Sequence, residues 1–167
     1  RNRGSSASDN AISEQAVLEL TANWPDTMVL DPREGDCAQA MAQKQSAFAA
    51  ADVALAASGT VSLELAASMT PMVIAYDMSP LSRFIISRMM LVDTVTLVNL
   101  VSDTRVVPEV IGKACTAQAI AKGLEDVIAS PNSQRAAMAL TMERLGRGGQ
   151  APGLRAAEAV LDGLAQA

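Results

Sequence analysis

The sequence contains no histidine, and it has only two cysteines, Cys37 and Cys115, among 167 residues. Histidine is the commonest proton carrier near neutral pH, so its absence excludes histidine-dependent catalytic triads and histidine-containing zinc sites from this chain. The two cysteines are isolated, and neither a disulfide framework nor a cysteine metal site is indicated. We therefore expect no metal and no cofactor, a carboxylate wherever a base is needed, and a reducing, cytoplasmic setting.

An excess of basic residues and long apolar runs are also lacking. Thirteen Lys and Arg stand against eighteen Asp and Glu, which gives a net charge of −5. No overall positive field attracts a phosphate backbone, so nucleic acid is not an expected partner. No apolar run approaches the roughly 18 residues that suggest a membrane-spanning helix, and the polar start RNRGSSASDN has no signal-peptide core. The sequence therefore predicts a protein that is neither secreted nor transmembrane.

The residues that are abundant are aliphatic: half of the chain is hydrophobic, but only 2% is aromatic. This length fits one domain, since a single core usually organises about 100–200 residues. The chain begins with Arg rather than Met, so we expect a fragment. We predict a disordered or truncated lead-in over 1–10, one domain over 11–145, and a Gly-rich hinge with a terminal helix over 146–167.

Short apolar runs alternate with segments of helical periodicity. The runs at 53–57, 71–76 and 94–100 predict buried strands, because each is too short for a typical helix. The segments 60–68 and 81–92 are long enough for crossover helices, which predicts an α/β fold with a Rossmann-like parallel sheet and flanking helices. Further predictions are helices at 11–23 and 40–50, a strand at 27–31, and a helical tail at 117–129, 133–145 and 154–164.

The most informative motif is SGTVSLE at 58–64, which follows a predicted strand and enters a predicted helix. Ligands of open α/β sheets bind outside the carboxyl ends of strands, and Gly59 permits close backbone approach. Ser58 and Thr60 can donate hydroxyl hydrogen bonds to a diphosphate, or they can cap the helix. Glu64 does not fit a capping box, since Val61 occupies the required Ser or Thr position. Glu64 is either a ligand of ribose hydroxyls or a solvated helical residue.

Three strings in order widen this motif: ADVALAASGTVSLELA, TPMVIAYDMSPLSRFIISRM and VDTVTLVNLVSDTRVVPEVI. From Ala51 to about Ile111 the chain resembles bacterial lipid-A-disaccharide synthases. The resemblance implies the carboxy-terminal, UDP-sugar-binding domain of a GT-B glycosyltransferase. It also implies the family reaction in lipid A and lipopolysaccharide biosynthesis, in which 2,3-diacylglucosamine passes from its UDP derivative to 2,3-diacylglucosamine 1-phosphate (lipid X), and UDP leaves.

The resemblance also implies a set of substrate-binding residues. Asn99 and Glu109 match further site motifs of the family, and Arg105 between them is a candidate phosphate contact, or else part of a surface salt bridge. Two positions depart from the family pattern: Asp77 stands where many members carry a basic residue, and Gly112 where many carry Gln. The predicted UDP-sugar site comprises Ser58, Gly59, Thr60, Glu64, Asn99, Arg105 and Glu109.

The family's amino-terminal acceptor domain, with its candidate acidic base, has no match in this sequence. We therefore expect the chain to be inactive alone, with its catalytic residues elsewhere. The resemblance suggests a homodimer at the cytoplasmic face of the inner membrane. The segment 81–92, with Arg83 and Arg88, is either a core or interface helix or a peripheral membrane contact.

Two alternatives stay open. Four aspartates border the predicted strands and are either turn residues or candidate general bases. The whole chain is either the donor-binding half of a synthase, or a non-catalytic nucleotide-binding or interaction domain on the same scaffold. The four aspartates are Asp52, Asp77, Asp93 and Asp103.

Overall fold

A computed structural model describes residues 15–30, 36–57, 59–77, 93–150 and 152–165 of the chain. The chain divides into two compact units, Arg1–Lys44 and Gln45–Ala167. The division into 1–10, 11–145 and 146–167 stays a prediction. The predicted crossover helix at 81–92 lies outside the described residues.

In the amino-terminal unit, one predicted helix is confirmed and one predicted strand is wrong. Residues 15–21 are helical, within the predicted span 11–23. Residues 27–30 form no strand, and Asp31 lies outside the described part of the chain. Met28 and its neighbours are exposed, so this short β-rich run lacks the burial that stabilises a strand.

Helix α1 (Cys37–Ala50) begins three residues earlier than predicted. Its start is set by Asp36, whose carboxylate accepts a hydrogen bond of 2.7 Å from the backbone N–H of Gln39. The carbonyl of Asp36 also accepts from the N–H of Ala40 at 3.0 Å. An Asp in this position satisfies N–H groups that the first turn of a helix leaves unpaired.

The carboxy-terminal unit is built on a three-stranded parallel sheet in the order β1-β2-β3. The strands are β1 (Ala54–Ala56), β2 (Met72–Tyr76) and β3 (Glu109–Ile111). Helix α2 (Val61–Ala67) is the crossover between β1 and β2. The predicted strands at 53–57 and 71–76, the helix at 60–68 and the parallel α/β fold are confirmed.

The predicted strand at 94–100 is wrong, because the chain there forms helix α3 (Leu97–Ser102). Short apolar runs do not distinguish a buried strand from a buried helix, and α3 buries Val98, Asn99 and Ser102. Asp103 ends the helix in the left-handed conformation, with φ +58°. The third strand of the sheet is β3, which the sequence analysis did not predict.

Three further helices follow β3 and confirm the predicted helical tail. They are α4 (Ala117–Ala129), α5 (Asn132–Arg144) and α6 (Pro152–Ala165). On one face of the sheet α2, α3 and α5 enclose the larger core, with Leu65, Val98 and Met138 packed near Ile74. On the other face α4 covers Val73 and Val110. Within the described ranges, no helix is long and apolar enough to cross a bilayer.

The junction between β2 and β3 is completed by the side chain of Gln134 on α5. Ile74 pairs with Glu109, and its N–H donates to the Pro108 carbonyl at 2.9 Å. If this register continued, the Met72 carbonyl would accept from residue 108, but proline has no N–H. The buried amide of Gln134 instead accepts from Met72 N at 2.9 Å and donates to Met72 O at 3.0 Å. Gln134 therefore takes the place of the missing ladder contacts.

Candidate functional site

A turn centred on Gly59 connects β1 to α2 at the carboxyl end of the strand. Gly59 has φ +111°, in the region that side chains with a Cβ rarely adopt. No described atom lies within 4 Å of the position that its Cβ would take. Backbone conformation rather than crowding therefore requires glycine here, and the described residues leave one side of the turn open. Ser58, which precedes it, lies outside the described residues.

Thr60 caps α2 with its backbone and not with its side chain. Its carbonyl accepts from Leu63 N at 3.0 Å and from Glu64 N at 3.2 Å, whereas its hydroxyl makes no cap hydrogen bond. The turn is held instead by buried Ser62, whose hydroxyl donates to the Gly59 carbonyl at 2.9 Å. The helix-capping alternative for the Thr60 hydroxyl is therefore not seen, and Thr60 is an exposed residue between β1 and α2.

Glu64 lies in the first turn of α2 and is exposed. The hydrogen bond from its N–H to the Thr60 carbonyl places the two residues one turn apart. Residues four apart share one face of a helix. The structure thus brings Gly59, Thr60 and Glu64 together around the start of α2.

A second group of predicted site residues joins α3 to β3. Asn99 is only 1% exposed, and its Nδ2 donates to the Val107 carbonyl at 2.9 Å. Val107 N donates back to Asn99 Oδ1 at 3.0 Å. These two bonds pair the amide of Asn99 with the backbone that enters β3. Asn99 belongs to the predicted strand at 94–100, which is wrong, since Asn99 lies within α3.

Glu109 receives donors from the segment that leads into α3. Its carboxylate accepts from Thr96 N at 2.9 Å, from Val95 N at 3.2 Å, from Asn99 Nδ2 at 3.3 Å and from the hydroxyl of Thr94. Burial raises the pKa of this half-buried carboxyl, but the hydrogen bonds from residues 94–96 outweigh it and hold the pKa below its usual value. Glu109 is therefore ionised at neutral pH and fixes the start of α3 against the sheet.

Arg105 forms an exposed ion pair with Asp93. Its Nε lies 3.1 Å from Asp93 Oδ2, its Nη2 pairs with the other carboxylate oxygen, and its Nη1 donates to the Thr104 carbonyl. The hydrogen bond from Arg105 lowers the pKa of Asp93. The salt-bridge alternative for Arg105 is therefore present, and phosphate contact stays a prediction.

The predicted site residues thus form two groups on neighbouring helices. Gly59, Thr60 and Glu64 lie at the carboxyl end of β1, whereas Asn99 and Glu109 lie where the chain enters β3. Helices α2 and α3 pack against each other on the same face of the sheet. Among the residues described, no group of three or more His, Cys, Asp or Glu side chains is arranged to hold a metal ion.

The four aspartates considered as general bases take different places. Asp52 precedes β1, Asp103 ends α3, and Asp93 pairs with Arg105. Asp77 directly follows β2 at the carboxyl edge, the side on which ligands of parallel sheets bind. Sequence reasoning missed the donors of Glu109 and the role of Gln134, because neither contact has a local signal in the sequence.

Sequence comparison with known proteins places the chain in one family. A sequence model described as lipid-A-disaccharide synthetase matches residues 31–159. A lipid-A-disaccharide synthase of Ruegeria pomeroyi is 64% identical over 149 residues, which are 89% of this chain and 37% of that protein. Those of Paramagnetospirillum magneticum and Rhodospirillum centenum are 44% and 36% identical, covering 74% and 89% of this chain and 33% and 36% of theirs.

The matched part contains both groups of predicted site residues and all three strands of the sheet. The chain spans about a third of the length of the relatives that it matches. Family matching and the parallel α/β fold agree with the resemblance carried by the three sequence strings. The chain belongs to the lipid-A-disaccharide synthetase family.

Proposed function

We propose that this chain is the donor-binding part of a lipid-A-disaccharide synthase. It grips the UDP portion of UDP-2,3-diacylglucosamine, from which the sugar passes to lipid X, giving lipid A disaccharide 1-phosphate and UDP. The observation that carries this proposal is the Gly59–Thr60 turn, which lies within the family match at the carboxyl edge of a parallel sheet. This edge is where α/β sheets of this kind bind their ligands.

The nucleotide contacts are assigned to the open side of the turn. Gly59 lets the diphosphate approach the backbone, and the hydroxyls of Ser58 and Thr60 donate hydrogen bonds to it. Glu64, one helical turn further, accepts hydrogen bonds from the ribose hydroxyls. The exposure of Thr60 and Glu64 supports these roles.

The second group, Asn99 and Glu109, supports the same site by positioning α3 and β3. Asn99 is buried, and Glu109 accepts several hydrogen bonds, so both hold α3 and β3 in the arrangement that the nucleotide requires. Any direct ligand contact by Glu109 uses Oε2, which accepts only from Val95 among the described groups. Arg105 contacts phosphate only after exchanging Asp93 for the ligand, which an exposed pair allows at low cost.

The transfer step itself is assigned to the larger protein. Transfer requires a base for the attacking 6-hydroxyl and groups that hold the acceptor, and this chain corresponds to about a third of its relatives. We propose that the isolated chain does not form the disaccharide. An assay with the UDP-sugar and lipid X checks this, and robust turnover by the isolated chain would contradict it.

The setting proposed for the full protein follows the same family membership. It is a cytoplasmic protein at the periphery of the inner membrane, where both lipid-linked substrates are reached, and it associates as a homodimer. Cosedimentation with vesicles and light scattering of the full-length protein check the two statements separately.

A second function is supported by the two departures from the family pattern. Asp77 follows β2 at the binding edge, and Gly112, which is buried with φ +62°, follows β3. A chain that lost the contacts of the usual residues there would be a non-catalytic nucleotide-binding or interaction domain. Nucleotide binding without any contribution to transfer in the full-length protein would favour this second function.

Calorimetric titration with UDP tests the donor-site proposal. Glu64→Gln removes the ribose acceptor charge and is expected to weaken UDP binding by roughly tenfold, because hydrogen bonds to charged groups contribute about 1.5–3 kcal/mol. Glu125→Gln is the matched control, since Glu125 is an exposed carboxylate on α4. Asn99→Ala is expected to lower both stability and affinity. Equal UDP affinity for Glu64→Gln, the control and the unaltered chain would exclude Glu64 from the site.

A further inference from the structure

A basic residue, Lys113, lies at the binding edge of the sheet. In the parallel register Ile111 pairs with Tyr76, so both residues mark the carboxyl ends of their strands. After Ile111 the buried Gly112 takes φ +62° and begins a short 3-10 helix, Gly112–Ala114. This left-handed conformation turns the chain out of the sheet, and Lys113 follows it as an exposed residue. Lys113 is therefore presented at the edge that carries the Gly59 turn.

Lys113 differs from the other basic side chains of the described residues. It is the one Lys or Arg among them that stands within three residues after the carboxyl end of a strand. Arg105 pairs with Asp93 and Lys122 pairs with Asp126, whereas Lys113 forms no ion pair within the described part of the chain. Lys113 is therefore a positive charge for which the described residues supply no counterion.

The overall charge of the chain is unfavourable for an anion, because the net charge is −5. A diphosphate that binds near Gly59 therefore needs a local cation, because an unfavourable overall field lowers the concentration of anions at the surface. Lys113 is placed to supply that charge.

The distance between Lys113 and the Gly59 turn decides whether both can contact one ligand. Strands β1 and β3 flank β2, so they lie two strand spacings, or about 10 Å, apart. An extended lysine side chain covers roughly 6 Å of such a gap from its Cα. A diphosphate seated at the Gly59 turn bridges what remains over the end of β2.

We propose that Lys113 binds the phosphate groups of the nucleoside diphosphate held at the Gly59 turn, and that it provides the charge that selects a diphosphate over an uncharged nucleoside. This inference rests on the proposed function, because it assumes that the nucleotide binds at this edge. It adds a binding residue that follows β3, whereas the glycine turn follows β1 on the other side of β2.

The experiment is a calorimetric titration of the full chain with UDP and with uridine, at low and at high salt. Lys113→Ala is expected to weaken UDP binding by about tenfold and to leave uridine binding unchanged, because a charge-assisted hydrogen bond to phosphate is lost. Its UDP affinity is also expected to depend less on salt. Lys113→Arg is expected to keep the affinity for UDP. The control Lys122→Ala removes an exposed lysine from α4 and is expected to leave the affinities for UDP and uridine unchanged.

Each outcome decides one point. Unchanged UDP affinity in Lys113→Ala, beside measurable UDP binding by the unaltered chain, overturns the role of Lys113 and leaves the proposed function standing. An equal loss for UDP and uridine also overturns it, since the effect would then be structural. Absence of UDP binding by the unaltered chain overturns the proposed function, and the inference falls with it. Thermal unfolding of all variants, with equal midpoints, verifies that folding is unaffected.

Discussion

Gln134→Ala is expected to destabilise the carboxy-terminal unit by roughly 2–5 kcal/mol. The amide of Gln134 is 2% exposed and makes both hydrogen bonds available to Met72, at 2.9 and 3.0 Å. Pro108 offers no N–H, so the ladder does not replace the lost donor. The substitution leaves a buried N–H and a buried carbonyl unsatisfied, and each costs about 1–3 kcal/mol. Urea unfolding followed by far-ultraviolet circular dichroism measures the change.

Gln134→Glu distinguishes hydrogen bonding from lost volume. A carboxylate keeps the acceptor for Met72 N but cannot donate to Met72 O, whereas a protonated carboxyl does both. Burial raises the pKa of the new Glu in the folded chain. The stability of the Gln134→Glu variant is therefore greatest below the unfolded pKa of about 4.3 and declines as pH rises through the folded pKa. We expect the deficit of Gln134→Glu at pH 7.5 to shrink by pH 5.

The matched control for this pair is Gln118→Glu on α4. Gln118 is exposed, so its substitution by Glu is expected to change stability little at either pH. Equal effects of Gln134→Glu and Gln118→Glu would refute the assignment of Gln134 as the residue that completes the ladder. A cost below about 1 kcal/mol for Gln134→Ala would refute it as well.

The remaining predictions concern Glu109 and Gly59. The lowered pKa of Glu109 stabilises the fold above the unfolded pKa of about 4.3, and this contribution is lost as pH falls through the folded pKa. The stability advantage of the unaltered chain over Glu109→Gln should therefore shrink between pH 6 and pH 3 in urea titrations. The exposed control Glu143→Gln should show no such trend. An advantage that stays constant with pH would contradict the hydrogen bonds assigned to Glu109. Gly59→Ala should cost about 1–2 kcal/mol through its φ of +111° alone, since its Cβ would meet no described atom. Gly163→Ala, in the last turn of α6 where φ is not positive, should instead stabilise by up to about 0.5–1 kcal/mol, and thermal melts that rank the two variants alike would contradict this reasoning.

The sequence was sufficient to predict those elements whose length and apolar pattern fit only one type of secondary structure. Strand β2 is a short uninterrupted apolar run whose first three residues are buried, and such runs are typical of parallel strands covered on both faces. Helix α4 has a strong helical periodicity and a Thr cap, with Thr116 accepting from Ala119 N at 3.2 Å. Local pattern and tertiary packing agree in these segments.

Segments 94–102 and 106–111 could not be assigned in this way. Both are short and apolar, and the choice between helix and strand depends on contacts made far along the chain. Asn99 bonds Val107, and Glu109 bonds residues 94–96, so each segment determines the conformation of the other. Pro108 also argues locally against a strand, and Gln134 compensates for it from another helix.

The candidate site was predicted where it depends on a local motif. Gly59 has the positive φ that a tight strand-to-helix turn requires, and Thr60 and Glu64 share the start of α2 as their spacing implies. Partners twelve or more residues away were not predictable. The ion pair of Arg105 with Asp93 is one example, and the hydroxyl of Thr94 on Glu109 is another.

Hydrogen exchange of the chain with and without UDP tests the central claim most directly, because it locates the ligand on the sequence. Binding at the carboxyl edge predicts that UDP slows amide exchange at 59–64 and 111–114, while the exposed residues 147–150 keep their exchange rate. Protection confined to other segments, or none at saturating UDP, would contradict the account.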